Sequence, residues 1–152
     1  TPEAAEEIIS EAVMKFRRRY DVPVEITIPD ELMLIPMDAI LIEQVIVNLL
    51  ENSVLHGKTT TLIKLTLSSD GENAVFSVTD NGSGINEKKL PMLFSGYFIH
   101  AEEQSGDVKR NMGIGLSVCL TIIKAHGGTM TAGNLPEGGA EFTFTLPLER
   151  AL

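Results

Sequence analysis

Residues 74–85, "AVFSVTDNGSGI", decide how the rest of the chain is read. The first half alternates as a strand does, with Ala74, Phe76 and Val78 on one face and Ser77 and Thr79 on the other. Asp80 falls in phase with the apolar face. A carboxylate aimed at a core is costly unless donors meet it, and two readings stand. In the first, Asp80 caps a local turn and Asn81-Gly82 is the hairpin signal it resembles. In the second, a ligand amino group meets the carboxylate, and Gly82 and Gly84 leave room for a flat ring against the backbone.

Working outward, "TLIKLTLS" (61–68) precedes this strand across the turn "SDGEN" (69–73), and "EFTFTLP" (141–147) places Phe142, Phe144 and Leu146 on one face of a closing strand. Further strands are read at "VEITI" (24–28), between Pro23 and Pro29, and near 129–133. Helices are read over 2–20, with the stripe Ile8, Ile9, Ala12, Val13 and Phe16, over 38–56, and from about 114 to 126 up to Gly127–Gly128. In the first, Thr1 and Pro2 suit the start and Arg17 to Arg19 the negative end. A short helix is read at 87–93. Residues 94–112 have no period and much polarity, which predicts a lid or a disordered loop. Helices mixed with antiparallel strands predict an α+β fold: a two-layer sandwich of a mixed, mostly antiparallel sheet with helices on one face.

A chain of 152 residues fits one domain with a real core. Its net charge of −9 argues against nucleic-acid binding. Cys119 is the only cysteine, so there is no internal disulfide, and no histidine cluster stands near it to make a zinc site. The absence of a signal peptide and of a run of 18 apolar residues predicts a soluble segment without membrane contact of its own. A first residue other than Met suggests excision from a longer protein.

Two further stretches carry chemistry. In "NLLENSVLHG" (48–57), Asn48 and Asn52 share a face of a largely apolar helix with Leu41, Val45 and Leu55. Asparagine is a poor core residue, so the pair either bonds a neighbouring loop or supplies oxygens to a Mg²⁺ that also holds phosphates. Glu51 reads as a helix charge rather than a catalyst. In "GIGLSVCLTII" (113–123), Gly113 and Gly115 open a helix, whose free N–H groups bind anions or whose glycines merely permit close packing. No GxxxxGK[ST] is present and neither glycine pair completes GxGxxG after a strand, which removes the P-loop and dinucleotide folds. Lys124 and His126 serve the dipole of their helix end, and Cys119 is a small core residue. Phe94, Tyr97 and Phe98 anchor the lid or belong to the core.

Taken together and in order, these motifs resemble the ATP-binding catalytic domain of sensor histidine kinases, in the gyrase/MutL/histidine-kinase ATPase superfamily with its Bergerat-type fold. "NLLENS" resembles the N box, "DNGSGI" and "NMGIGLSV" the two glycine boxes and "LFSGYF" the F box, over roughly residues 1–148. The ending "NLPEGGAEFTFTLP" resembles that of the potassium-responsive Kdp-type kinases. The resemblance implies that Asp80 accepts from the adenine amino group, with Gly82, Gly84 and Ile85 beside it. It implies that Asn52 binds Mg²⁺ and that Asn48 lines the same site at the catalytic position. Gly113, Ile114, Gly115 and Leu116 would cover the phosphates. The family's usual lysine after the metal asparagine is Leu55 here, the following aromatic is His56, which would line the pocket, and the basic residue after the F box is Ile99. The second glycine box often begins one glycine earlier, where this chain has Asn111. Lys109 or Arg110 would replace the missing charge.

The function so implied is transfer of the γ-phosphoryl group of ATP·Mg²⁺ to a histidine on a separate dimerisation domain. None of His56, His100 or His126 is expected to be that acceptor. A downstream response regulator, a homodimeric full-length kinase and a cytoplasmic placement beneath a membrane-bound sensor are implied with it. The rivals are an anti-sigma-type serine kinase and a degenerate nucleotide sensor without catalysis.

Overall fold

The computed structural model describes residues 2–94 and 107–149, with backbone alone at 107–114. In chain order the strands are β1 (Pro2–Ala4), β2 (Val24–Thr27), β3 (Leu34–Pro36), β4 (Ile63–Ser69), β5 (Asn73–Asp80), β6 (Met130–Asn134) and β7 (Ala140–Pro147). The helices are α1 (Ala5–Arg17), α2 (Ala39–Gly57) and α3 (Asp107–Ala125), with a single 3₁₀ turn at Leu90–Met92.

Alternation in the strand sequences builds the main sheet, in the order β2-β4-β5-β7-β6. The β2–β4 pairing is parallel and the other three are antiparallel. One face carries Ile63, Leu65, Leu67, Ala74, Phe76, Val78, Phe142, Phe144 and Leu146, all buried. Phe76 lies opposite Phe144 in register, and their rings stack at 4.5 Å. The stripe Ile8, Ile9, Ala12, Val13 and Phe16 of α1 is buried, and α2 sits between α1 and α3 against the same sheet face. The expected two-layer α+β sandwich is therefore the observed one. By length and composition α2 is apolar enough to cross a membrane, but here Ile42, Val45, Ile46, Leu49 and Leu50 are buried inside the sandwich.

Three expectations change. The first helix starts at Ala5, because Pro2–Ala4 pairs with Leu34–Pro36 as a separate two-stranded ribbon and Ala5 N–H donates to Met33 O at 3.1 Å. It ends at Arg17, where Arg19 and Tyr20 N–H both return to Phe16 O. The helix expected to open at Gly113 begins at Asp107, so Gly113 and Gly115 stand inside α3 and do not supply its free N-terminal N–H groups. The buried residues Leu116, Cys119 and Ile123 form its packing stripe, which outweighs the ~1 kcal/mol each interior glycine costs. At its other end the glycine stop is as expected: Gly127 has φ +80°, its N–H donates to Lys124 O at 3.0 Å, and Gly128 N–H donates to Ile123 O at 2.9 Å. Of the expected lid at 94–112, residues 95–106 lie outside the described residues, among them Tyr97, Phe98, Ile99 and His100.

Candidate functional site

Helix α2 is the axis of the site. Asp38 caps its start, Oδ1 accepting from Leu41 N–H at 3.1 Å. The two asparagines project from one side, one turn apart. Asn52 is 3% exposed; its Nδ2 donates to Asn48 O at 2.9 Å, while its Oδ1 is buried and has no hydrogen-bond partner among the described residues. A buried amide oxygen left without a donor costs on the order of 1–3 kcal/mol, which a ligand would recover. Asn48 differs. Its Oδ1 accepts from Gln44 Nε2 at 2.9 Å and its Nδ2 donates to Cys119 Sγ at 3.5 Å, so it ties α2 to α3. Cys119 itself is a buried core residue, and loss of solvent pushes its thiol up to about 11.

Neither carboxylate of α2 is oriented for catalysis beside the asparagines. Glu43 pairs with Lys15 of α1 at 2.9 Å and Glu51 with Arg19, just past the end of α1, at 3.3 Å. Burial, and then the Glu51 carboxylate, push the Tyr20 hydroxyl up.

Asp80 ends β5 and is 6% exposed, on the core face as its phase requires. Its Oδ1 accepts from Gly82 N–H at 2.8 Å and from Ala140 N–H at 3.3 Å. The chain then leaves the sheet, so Asn81-Gly82 is no hairpin. Asn81 Oδ1 accepts from Thr61 and Leu62 N–H at 2.9 and 3.1 Å, and Ser83 N–H donates to Gly57 O at 2.9 Å. These bonds seat the loop on the C-terminal end of α2. Gly57 is five residues past Asn52, about 7.5 Å along the helix.

The glycines of this loop let two segments of the chain approach closely: a Cβ at Gly82 would stand 2.7 Å from Gly57 Cα. Gly84, at φ +81°, is required by its backbone, and a Cβ there would meet Asn134 Oδ1 at 2.8 Å. Ile85 buries its side chain and commits both backbone groups to Asn134, its N–H to Oδ1 at 2.7 Å and its C=O to Nδ2 at 2.8 Å. It anchors the loop rather than offering polar groups to a ligand. Sequence reasoning missed Asn81 and Asn134, whose partners are 19 or more residues away.

From α3, Gly115 faces Asn48, and a Cβ there would rest at an ordinary 3.5 Å from its Nδ2. Leu116 is buried in the packing stripe of α3. Gly113, Ile114, Lys109 and Arg110 lie in α3, with side chains outside what the structure describes. His56 is half-buried in the last turn of α2, beyond Asn52, and Leu55 beside it is 37% exposed. Both ring nitrogens of His126 are engaged: Nδ1 lies 2.8 Å from Ile122 O and Nε2 3.0 Å from Asp38 N, which ties the end of α3 to the start of α2.

Three of the four sequence boxes thus converge on α2. The sequence profile described as "Histidine kinase-, DNA gyrase B-, and HSP90-like ATPase" matches residues 37–150. The chain belongs to this ATPase family. Within the family its similarity runs to sensor kinases. It is 36% identical over 148 residues to the sensor protein KdpD of Clostridium acetobutylicum, covering 97% of this chain and 16% of that protein. The chain therefore spans about a sixth of that relative's length, and the expected Kdp-type likeness is supported. Among solved structures, the catalytic domain of the histidine kinase ThkA superposes with a TM-score of 0.78 at 27% identity, covering 97% of this chain and 96% of that one. The ATP-binding domain of PrrB from Mycobacterium tuberculosis does so with a TM-score of 0.79 at 24% identity, covering 99% and 98%. This ATPase-family domain therefore shares the fold of histidine-kinase ATP-binding domains.

Proposed function

We propose that this ATPase-family domain binds ATP with Mg²⁺ and donates the γ-phosphoryl group to a histidine on a separate dimerisation domain of a sensor kinase. The observation that carries the proposal is Asn52 Oδ1, a buried oxygen without a donor among the described residues, on the helix where the boxes converge. An amide oxygen fits Mg²⁺, which takes few protein oxygens and prefers to share phosphate oxygens. Asn52 would hold the ion, which when bound neutralises phosphate charge. Asp80, one oxygen already fixed by Gly82 and Ala140, presents the other to the adenine amino group. Gly82 and Gly84 keep that loop seated, and Gly113 to Leu116, whose N–H groups are bonded inside α3, would cover the phosphates through the close approach that glycine permits.

Asn48 sets what the site does with ATP. Its amide cannot take a proton from water, and both α2 carboxylates are paired with cations, Lys15 of α1 and Arg19 just beyond it. This supports phosphoryl transfer, which rests on positioning and electrostatics, over hydrolysis. The γ-phosphoryl group passes to a nitrogen of the acceptor histidine and ADP leaves. The kinase would act as a homodimer beneath a membrane sensor, in the cytoplasm, and pass the group on to a response regulator. Calorimetry tests the first step. ATP affinity should fall when Mg²⁺ is chelated, and Asn52→Ala should abolish that dependence with an unchanged melting temperature. Identical titrations of the wild type with and without Mg²⁺ would make Asn52 a structural residue.

A further inference from the structure

The loop that begins at Asp80 is gripped from the β6–β7 hairpin at two places. Ala140, first residue of β7, donates its N–H to Asp80 Oδ1 at 3.3 Å. Asn134, last residue of β6, is the direct register partner of Ala140. Its amide closes two bonds to the backbone of Ile85, accepting at 2.7 Å and donating at 2.8 Å. One bond would leave the loop free to swing about it; two from one planar group also set its orientation. The surroundings are built for this contact. Gly84 has no side chain to collide with Asn134 Oδ1, and Gly139, at φ +97°, leaves space for the Asp80 carbonyl that a Cβ would overlap. The hairpin turn is itself closed by Leu135 N–H to Gly139 O at 2.9 Å.

We propose that Asn134 is a positioning residue for nucleotide selectivity. By clamping Ile85 it holds residues 80–85 in the arrangement that points the second oxygen of Asp80 at the ligand. Asn134 touches no ligand itself; it acts on the base through the loop. The proposal rests on the reading of Asp80 as acceptor for the adenine amino group.

The test is calorimetry of ATP and of GTP, each with Mg²⁺, on the wild type, Asn134→Ala, Asn134→Asp and Asp80→Asn, with thermal unfolding alongside. Asn134→Ala should weaken ATP roughly tenfold and leave GTP unchanged, so that the ATP-over-GTP ratio shrinks by the same factor. Asn134→Asp keeps the acceptor for Ile85 N–H but not the donor to its carbonyl, and should fall between. A purely structural Asn134 would lower the melting temperature and leave the ratio at its wild-type value in both variants; that result overturns the proposal. If Asp80→Asn also keeps the wild-type ratio, the reading of Asp80 fails first. If Asp80→Asn loses the ratio and both Asn134 variants keep it, only the positioning role fails.

Discussion

Replacing Asp80 by Asn exchanges one acceptor oxygen for a donor and leaves the rest of the site in place. The retained Oδ1 still accepts from Gly82 and Ala140 N–H, at 2.8 and 3.3 Å in the wild type, so the loop keeps its seat. In the proposed binding mode the new NH₂ group would face the adenine amino group donor to donor. Losing a charged acceptor for a buried donor costs about 1.5–3 kcal/mol, which is roughly tenfold to a hundredfold in affinity. Removing the side chain altogether is a different perturbation. Asp80→Ala would leave Ala140 N–H buried without a partner, a loss of about 1–3 kcal/mol in stability as well. The assay is therefore a pair of measurements, ATP affinity by calorimetry and the melting temperature. Asp80→Asn should lose affinity with little change in melting, and Asp80→Ala should lose both. GTP, which presents a carbonyl oxygen at that ring position, should bind the wild type poorly. An Asp80→Asn variant that binds ATP as tightly as the wild type would refute the assignment.

Gly82→Ala should destabilise the domain by about 1–3 kcal/mol, because the added Cβ would press on the Gly57 backbone at 2.7 Å, and backbone cannot rotate away; chemical denaturation measures it, and an unchanged midpoint would show that the loop is not seated on α2. Burial raises the Cys119 thiol from its ordinary value of 9.0 to about 11, so the folded state holds that proton more tightly than the unfolded one. The stability this group contributes is full below pH 9.0 and is lost as pH rises through about 11. Denaturation at about pH 8 and about pH 10.5 should show a shallower fall for Cys119→Ala than for the wild type.

What the sequence revealed and what it concealed divide along the range of the forces involved. The alternation of "EFTFTLP" and the phase of Asp80 are local, and both faces came out as read, with Phe142, Phe144 and Leu146 buried and Asp80 among them. The Asn48–Asn52 spacing and the Gly127 stop are equally local. The β1–β3 ribbon was invisible because each strand is three residues long and gains its partner only in three dimensions. The start of α3 was misplaced because glycines at 113 and 115 read as a helix opening, whereas packing of Leu116, Cys119 and Ile123 extends the helix through them. His126 was read as a helix-end charge, and its true partner, Asp38 N–H, lies 88 residues away. A separation of 49 residues from Ile85 hid Asn134 in the same way. A polar residue that bonds remote backbone leaves no periodic trace.

The central claim is a division of labour: this domain holds and orients ATP, and another domain carries the histidine. Of its own histidines, His126 has both ring nitrogens bonded, to Ile122 O and Asp38 N–H. The direct test is incubation of the isolated domain with γ-labelled ATP and Mg²⁺, followed by assay for acid-labile protein label. The account predicts none, with label restored on the histidine-bearing dimerisation domain when that domain is added as a separate chain. Strong self-labelling of the 152-residue domain, mapped to His56, His100 or His126, would contradict it.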